Sequence, residues 1–353
     1  KDRFFQLPYT RRNPLPLRIK RKLRSFFDPE AYKIFDLDAW YDPDIDDALI
    51  QLHKTFNFDT VIVEYIFFSK ALLCFPDSVL KVIDTHDVFT NRHRLYTEEN
   101  RPYGWFSTTA AHERKGLNRA DLIIAIQSSE NAYFASLASR PTVTVGHMVE
   151  TKIPKTHLLE KTSPATLLFI GSANQSNIDA LNFFIDDILP LIKKHVPLTR
   201  LLVAGKVCRA LNGRSAEIVP LGEVADLGSI YEKVDMAVNP IRIGTGLKIK
   251  NIEALGYSKP LVTTTVGAAG LEDDSASAYL VADNPLDFSR AVANVLQDRD
   301  LYNRLVVNGH ELAVKWNRRQ MESLGSALNN TPTGSPRSSL DWNVHKLARH
   351  VFK

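Results

Sequence analysis

At 353 residues the chain is too long for one compact core and suits two domains. A hydrophobic content of 44% and a charged content of 24% are those of a soluble globular protein, and a net charge of +4 does not demand nucleic acid as a partner. Cys74 and Cys208 cannot make a disulfide framework or a metal site, no apolar run approaches the roughly 20 residues of a membrane span, and the start lacks a signal-peptide core, so a reducing cytoplasm is the predicted compartment.

Arg11, Arg12, Arg18, Lys20, Arg21, Lys22 and Arg24 run without an acid until Asp28, while Ile19, Leu23, Phe26 and Phe27 fall on one side of a helix. Two readings of residues 11–27 stay open: a basic helix resting on an anionic membrane surface, peripheral at its inner face, or a solvated helix whose apolar side joins the core. Strands are predicted at Val61–Val63, Val79–Ile83, Leu122–Ile126 and Val143–Val145, with helical patterns between most of them. Near-continuous apolar runs separated by helices indicate a parallel sheet covered on both faces, whose ligands collect at the carboxyl ends of the strands. His86 and Asp87 follow the second strand and are expected at that rim; a lone His there is as readily structural as functional. Ser128 or Ser129 is the predicted N-cap of the helix after the third strand.

Residues 149–165 are polar, contain prolines and lack periodicity, which predicts a linker. A second alternating series follows, with strands at Thr166–Gly171, Leu201–Gly205, Glu217–Val219, Met236–Val238, Leu261–Thr264 and Tyr279–Val281, and a helix over Ile178–Ile192. The predicted organisation is therefore a first domain over 1–148, the linker 149–165, a second domain over 166–315, a closing helix over 316–330, and a flexible linker and short basic tail over 331–353. Leu286–Leu312 is read as largely helical and separate from the closing helix. Nothing ahead of Asp59 resembles the strand and Gly-rich turn that open a doubly wound domain, so the first domain is expected to be incomplete, short of roughly two β-α units.

The most informative stretch runs from Asn239 to Leu255. An apolar strand enters Pro240 and a Gly244-Thr245-Gly246 turn, after which Leu247, Ile252 and Leu255 approach helical spacing. Glycines ahead of a helix let a ligand reach free N–H groups, where the helix dipole favours negative charge. Lys248 in the first turn suits a bound anion, and Glu253 can reach a polar group beside it. The pattern predicts a diphosphate site with a hydroxyl acceptor behind it; the plainer reading is an ordinary β-α turn.

Several pieces together resemble a nucleotide-sugar glycosyltransferase of the GT-B fold, in the large retaining family four. Phe169–Ala180 is similar to the strand and loop that open that family's donor domain, Leu221–Asp226 with Tyr231 to its base-binding loop, Asn239–Ala254 to its donor signature, and Lys259–Leu271 to the strand and loop that follow. Asp84–Val88 and Ala120–Ala125 are similar to its acceptor-domain landmarks, and Trp316 to the aromatic residue starting its closing helix. The resemblance runs from about Asp59 to Leu328 and is stronger over the second half. It implies an α/β fold of two Rossmann-like, doubly wound parallel-sheet domains facing a cleft.

It also implies a retaining hexosyltransferase that moves sugar from a UDP- or GDP-linked donor to a glycan or lipid-linked acceptor, in polysaccharide or cell-envelope synthesis, with no cofactor, no metal and no nucleic acid. The implied catalytic residues are His86, contacting sugar or acceptor, and Glu253, accepting from ribose hydroxyls. Gly171, Ser172, Lys206, Gly244, Thr245, Gly246, Leu247 and Lys248 would hold the donor diphosphate and sugar, and Glu223 and Val224 the base. Two departures bear on this. Thr245 stands where the family has the first of two signature glutamates, and the loop at Gly171-Ser172 lacks the Arg and Lys that other branches place there. Thr245 and the missing opening turn favour one alternative, a non-catalytic sugar-nucleotide module of the same fold; the other is a sugar-nucleotide 2-epimerase, which shares the two-domain architecture and requires no separate acceptor.

Overall fold

The computed structural model describes residues 4–10, 19, 22–23, 25–26, 29–97, 105–153, 164–211, 216–244, 246–271 and 275–331. The described residues of Lys1–Gly146 and Gln320–Lys353 form one compact unit, and those of His147–Arg319 form another. Most of the basic stretch 11–27 lies outside the described residues; within it Ile19, Leu23 and Phe26 are exposed.

The first unit holds a four-stranded parallel sheet in the order β1-β2-β3-β4: β1 Thr60–Glu64, β2 Leu80–Asp84, β3 Leu122–Ala125 and β4 Thr142–Thr144. Its side chains alternate between two cores, as the two-residue repeat of a strand requires. Ile83, Ile123 and Ala125 join Trp40, Phe67, Phe89, Phe106 and Phe134 on one face. Leu80, Val82, Leu122 and Ile124 join Val145, Leu324 and Leu328 on the other. With both faces covered, β2 is buried along its whole length, including its two charged residues, Lys81 and Asp84. Helices α1 (Asp46–Phe56), α2 (Ala110–Leu117) and α3 (Ser128–Leu137) accompany this sheet. Neither Ser128 nor Ser129 caps α3: the helix already starts at Ser128, and the capping position falls to Gln127, whose side chain makes no capping bond.

The second unit holds six parallel strands: β5 Thr166–Ile170, β6 Arg200–Ala204, β7 Ile218–Gly222, β8 Met236–Asn239, β9 Leu261–Thr263 and β10 Leu280–Val281. Their order, β10-β9-β8-β5-β6-β7, reverses direction between β5 and β8. This is the doubly wound arrangement, and its switch point opens a crevice at the carboxyl ends of β5 and β8. Leu167, Phe169, Leu201, Val203, Met236 and Val238 form the core of this sheet with helical Phe184, Ile188, Phe288 and Val292. Helix α4 (Gln175–Phe183) follows β5, α5 (Leu227–Tyr231) precedes β8, and α6 (Ile249–Gly256) follows it. The α4 rod begins three residues before the predicted start because Asn174 caps it, its side chain accepting from Asn177 N at 2.9 Å. The rod passes a π turn at Phe184–Ile188 before ending at His195.

The end of the chain departs from expectation. Helix α7 covers Pro285–Gln297 and α8 runs unbroken over Arg299–Asn330, so no new helix starts at Trp316. The break falls at Asp298, whose Oδ1 accepts from the backbone N–H groups of Asp300 and Leu301 at 2.9 and 3.0 Å and so restarts the helix there. Trp316 instead donates its ring N–H to His147 O at 2.7 Å. The aperiodic stretch after β4 is tied down at its start. Asn317 donates to Val149 O at 2.7 Å and accepts from Val149 N at 3.0 Å, and Lys152 N donates to Gly256 O at 2.8 Å.

Candidate functional site

In the second unit the crevice between β5 and β8 is built by close backbone contact. Gly205 follows β6 with φ +95°, and a β-carbon there would lie 2.3 Å from Gly171 O. Only glycine lets these two strand ends approach so closely. Gly171 N donates to Ala204 O at 3.0 Å, and Gly171 O accepts from Val207 N at 3.1 Å. The loop after β5 is then held by Asn177, whose Nδ2 donates to Ser172 O at 3.2 Å and Ser172 Oγ at 3.1 Å.

On the other side of the crevice, β8 ends in a fully buried amide network. Asn239 Nδ2 donates to Asn251 Oδ1 at 2.8 Å, and Asn251 Nδ2 donates to Gly267 O at 2.7 Å. Thr263 Oγ1 closes the circuit by donating to Asn239 O at 2.9 Å. This network locks the start of α6 to the ends of β8 and β9. The connecting loop needs its glycines: Gly244 and Gly246 have φ of +126° and +78°, and Thr245 between them lies outside the described residues. Leu247 is buried and anchors the loop.

Lys248 occupies the N-cap position of α6, one residue before the predicted first turn, and its side chain caps nothing. Nζ donates to Gly246 O at 2.7 Å and lies 3.9 Å from where a Gly244 β-carbon would stand, as Ser176 Oγ does at 4.0 Å. Lys250, which the sequence reading passes over, donates from Nζ to Asn177 Oδ1 at 2.7 Å and lies 4.9 Å from the Phe169 ring centre. Enclosure of its ammonium, then the neighbouring Lys248, lowers its pKa to about 7, against a smaller opposing pull from Glu253. Burial raises the Glu253 carboxyl above the usual range, with Lys250 opposing. Among the described residues the Glu253 carboxylate makes no hydrogen bond or ion pair, so its lone pairs remain available to hydroxyl donors. Tyr231 and Tyr257 stack at 4.5 Å close by, and Glu253 contributes to raising both hydroxyls.

The structure thus gathers Gly171, Ser172, Gly244, Gly246, Leu247 and Lys248 around the switch point, with Glu253 further along α6. Lys206 and Glu223 lie instead beyond the ends of β6 and β7 and face each other, Nζ to Oε2 at 3.5 Å, with Arg209 3.7 Å from the same carboxylate. Val224 is partly buried beside them.

The rim of the first unit has a different chemistry. His86 has left-handed backbone, φ 58°, and so does Tyr65 after β1, φ 66°. Their rings lie 4.5 Å apart. His86 Nε2 is 3.9 Å from both Glu64 Oε2 and Asp84 Oδ2, and neither Nε2 nor Oδ2 has a hydrogen-bond partner. Burial pushes the Asp84 carboxyl up to about 6; His86 opposes this and Glu64 adds to it. Asp87 turns away to pair with Arg92. The segment after His86 is fastened by Glu113 of α2, fully buried, which accepts from Phe89 N at 2.7 Å and from Thr90 N at 3.0 Å. Glu64 and Glu113 were passed over in sequence and Asp84 was read only as part of a landmark, because an acid at a strand end or on a helix reads as solvated; an Asp closing a mostly apolar strand was the available signal. Among the described residues no group of three or more His, Cys, Asp or Glu is arranged to hold a metal, and no helix is long and apolar enough to cross a membrane.

Residues 164–298 match the family model described as glycosyl transferases group 1. A curated relative, the "uncharacterized 44.6 kDa protein in cps region" of Klebsiella pneumoniae, is 22% identical over 140 residues, 36% of this chain and 36% of that protein. The match therefore spans about a third of the curated relative. Among solved structures, TarM superposes with a TM-score of 0.62 at 11% identity, over 80% of this chain and 58% of that one. Sucrose-phosphate synthase from Thermosynechococcus elongatus gives 0.61 at 16%, over 82% and 78%. Anabaena HepE, in complex with UDP and glucose, gives 0.55 at 15%, over 80% and 81%. At these identities the structural likenesses establish a shared fold of two Rossmann-like parallel-sheet units.

Proposed function

Taking as premise that residues 164–298 belong to the glycosyl transferases group 1 family, we propose that this protein is a glycosyltransferase. It moves sugar from a nucleotide diphosphate sugar to a glycan or lipid-linked acceptor in polysaccharide or cell-envelope synthesis. The observation that carries this reading is the β5–β8 switch point. There two lysines and two left-handed glycines surround the start of a helix, and an unengaged carboxylate, Glu253, stands further along it. The relative's place in a cps region and the UDP-sugar complexes of HepE favour the same class of chemistry.

Transfer of a glycosyl group develops negative charge on the leaving diphosphate and positive charge on the sugar. Fixed N–H dipoles and ammonium groups stabilise the former without reorganising, which is the largest contribution such a site makes. In this assignment the backbone from Gly171 to Ser172 and from Gly244 to Leu247 borders the diphosphate and Lys248 neutralises charge. Glu253 accepts from the ribose hydroxyls, and Glu223 and Val224 border the base, with Lys206 held beside Glu223. Thr245 takes the place of the family's first glutamate. His86 contacts sugar or acceptor, with Tyr65 and Asp84 orienting its ring. Retention of configuration, a hexose donor and chemistry without a metal complete the assignment. Residues 11–27 attach the protein to an anionic membrane face, a point checked by whether Arg18, Lys20, Arg21 and Lys22 changed to Glu abolish sedimentation with anionic vesicles.

Thermal unfolding with UDP, GDP, ADP and TDP, with and without a linked sugar, tests the donor assignment. A nucleotide at about 100 times its dissociation constant adds roughly 2.7 kcal/mol, a rise of about 5–10 °C. One nucleotide shifting the transition, with loss of the shift in Lys248→Ala, is expected. Thr245 at a signature position favours the second reading, a non-catalytic sugar-nucleotide module. Binding without turnover of any donor, either by transfer or by 2-epimerisation, would move that reading ahead.

A further inference from the structure

The loop after β5 has no cation of its own between Gly171 and Asn174, yet one is delivered to it from across the switch point. Lys250 leaves the first turn of α6 and places Nζ 2.7 Å from Asn177 Oδ1, while the same amide holds Ser172 through Nδ2. The ammonium therefore stands one amide group away from the Ser172 loop. Its hydrogen-bond partner does not require a positive charge, being a side-chain amide. The Phe169 ring at 4.9 Å adds a weak attraction. The charged and titratable groups around it are few. Lys248 at the start of α6 disfavours a second cation, and Glu253 on α6 favours it. Tyr231 of α5 stays neutral, its hydroxyl held protonated by burial. Asp179 of α4 is engaged with Arg242 at 2.8 Å. Two lysines kept close together at an electrostatic cost are explained by an anion that binds both.

We propose that Lys250 is the second cation of the diphosphate site, held by Asn177 beside Ser172 until a nucleotide diphosphate binds, and that binding draws a proton from solvent onto its amine. This rests on the donor-site reading above and names a residue which that reading lacks. The balance is simple: the neutral amine takes one proton from buffer, no covalent bond to the ligand forms, and the diphosphate gains an ammonium partner. With its pKa lowered to about 7 in the free protein, the amine is largely neutral at higher pH. The bound anion raises it again. Proton uptake thus appears above pH 7, and affinity falls as pH rises further, while both are flat below.

Calorimetric titration with UDP, GDP, ADP and TDP at about pH 8, in HEPES and in Tris, reads the linked proton from the difference in heats. The wild type is expected to take up close to one proton with whichever nucleotide binds. Lys250→Met should lose about tenfold or more in affinity and lose the uptake. Lys250→Arg should restore affinity without uptake, since a guanidinium stays charged. Lys194→Ala, on an exposed helix face, should change neither. Retained affinity in Lys250→Met, or uptake that persists there, overturns the inference and leaves the donor site standing. Absence of binding by the wild type overturns the donor-site reading itself. Cooperative thermal unfolding of both Lys250 variants checks folding, and should the Met variant fail to fold, the missing uptake in Lys250→Arg still decides.

Discussion

Among the described residues of the second unit, left-handed backbone falls on Gly205, Gly222, Gly244, Gly246 and Gly270, with Ser258 the one other residue; among those of the first it falls on Asn57, Tyr65, His86 and Asn91. The charges beside these positions differ too. Lys248 and Lys250 stand by the glycines of the switch point, whereas Glu64 and Asp84 stand by Tyr65 and His86. A bare backbone at a strand end lets another backbone, or an anion, come close. A side chain kept in the same strained region costs roughly 1–2 kcal/mol, and holding it there makes sense only if its direction matters. Two parallel sheets of the same kind have thus put their conformational strain to different uses.

The sharpest way to break this contrast is Gly205→Ala. With φ +95° and a backbone oxygen 2.3 Å from the new methyl group, it should cost about 3 kcal/mol or more; an unchanged urea midpoint would show that the strand ends can part freely. Next in size, Glu113→Ala leaves two backbone N–H groups of the His86 loop without their acceptor and should cost about 2–4 kcal/mol. Glu113→Gln, which keeps one acceptor, should cost less.

Asp84→Asn should act in the opposite direction. Its native pKa of about 6 lies above the ordinary carboxylate value, so between about pH 4 and 6 the native state binds more protons than the unfolded chain, and wild-type stability falls as pH rises. Removing the charge should raise stability at neutral pH by about 1–3 kcal/mol, with no gain below about pH 4. A gain that is the same at every pH would reject burial of this charge as the cause. For Lys250 the unfolded chain binds more protons above pH 7, so ligand-free stability should rise from pH 7 towards 10 through this group, a slope absent from Lys250→Met. Smallest of all, Lys206→Ala breaks only a half-exposed ion pair and should change stability by less than about 1 kcal/mol.

Much of the architecture was legible in the residues. All ten strands overlap the runs expected of them, with six running one to three residues past those runs, because a parallel strand buried on both faces is mostly apolar and so stands out in sequence. The glycines of the turn after β8 were equally visible, since φ of +126° and +78° leaves few other choices. The helix boundary at Asp298 was not, because one Asp in a run of helix-forming residues reads as surface until its carboxylate is seen to accept two N–H groups. Lys250 was hidden for a similar reason. A lysine two residues after another on an amphipathic helix reads as a solvated position, and its enclosure comes from Asn177 and Phe169, 73 and 81 positions earlier.

By itself, then, the sequence determined what short-range periodicity and backbone stereochemistry control: two α/β units, their strands, and the place where glycines must stand. Tertiary structure alone decided which charges share a space. The strand order β10-β9-β8-β5-β6-β7 brings the end of β5 beside the end of β8, and with it Asn177 beside Lys250. Burial of a carboxylate at Asp84 or an ammonium at Lys250 depends on neighbours far away in the chain, and electrostatic energy depends on those distances rather than on position along the sequence.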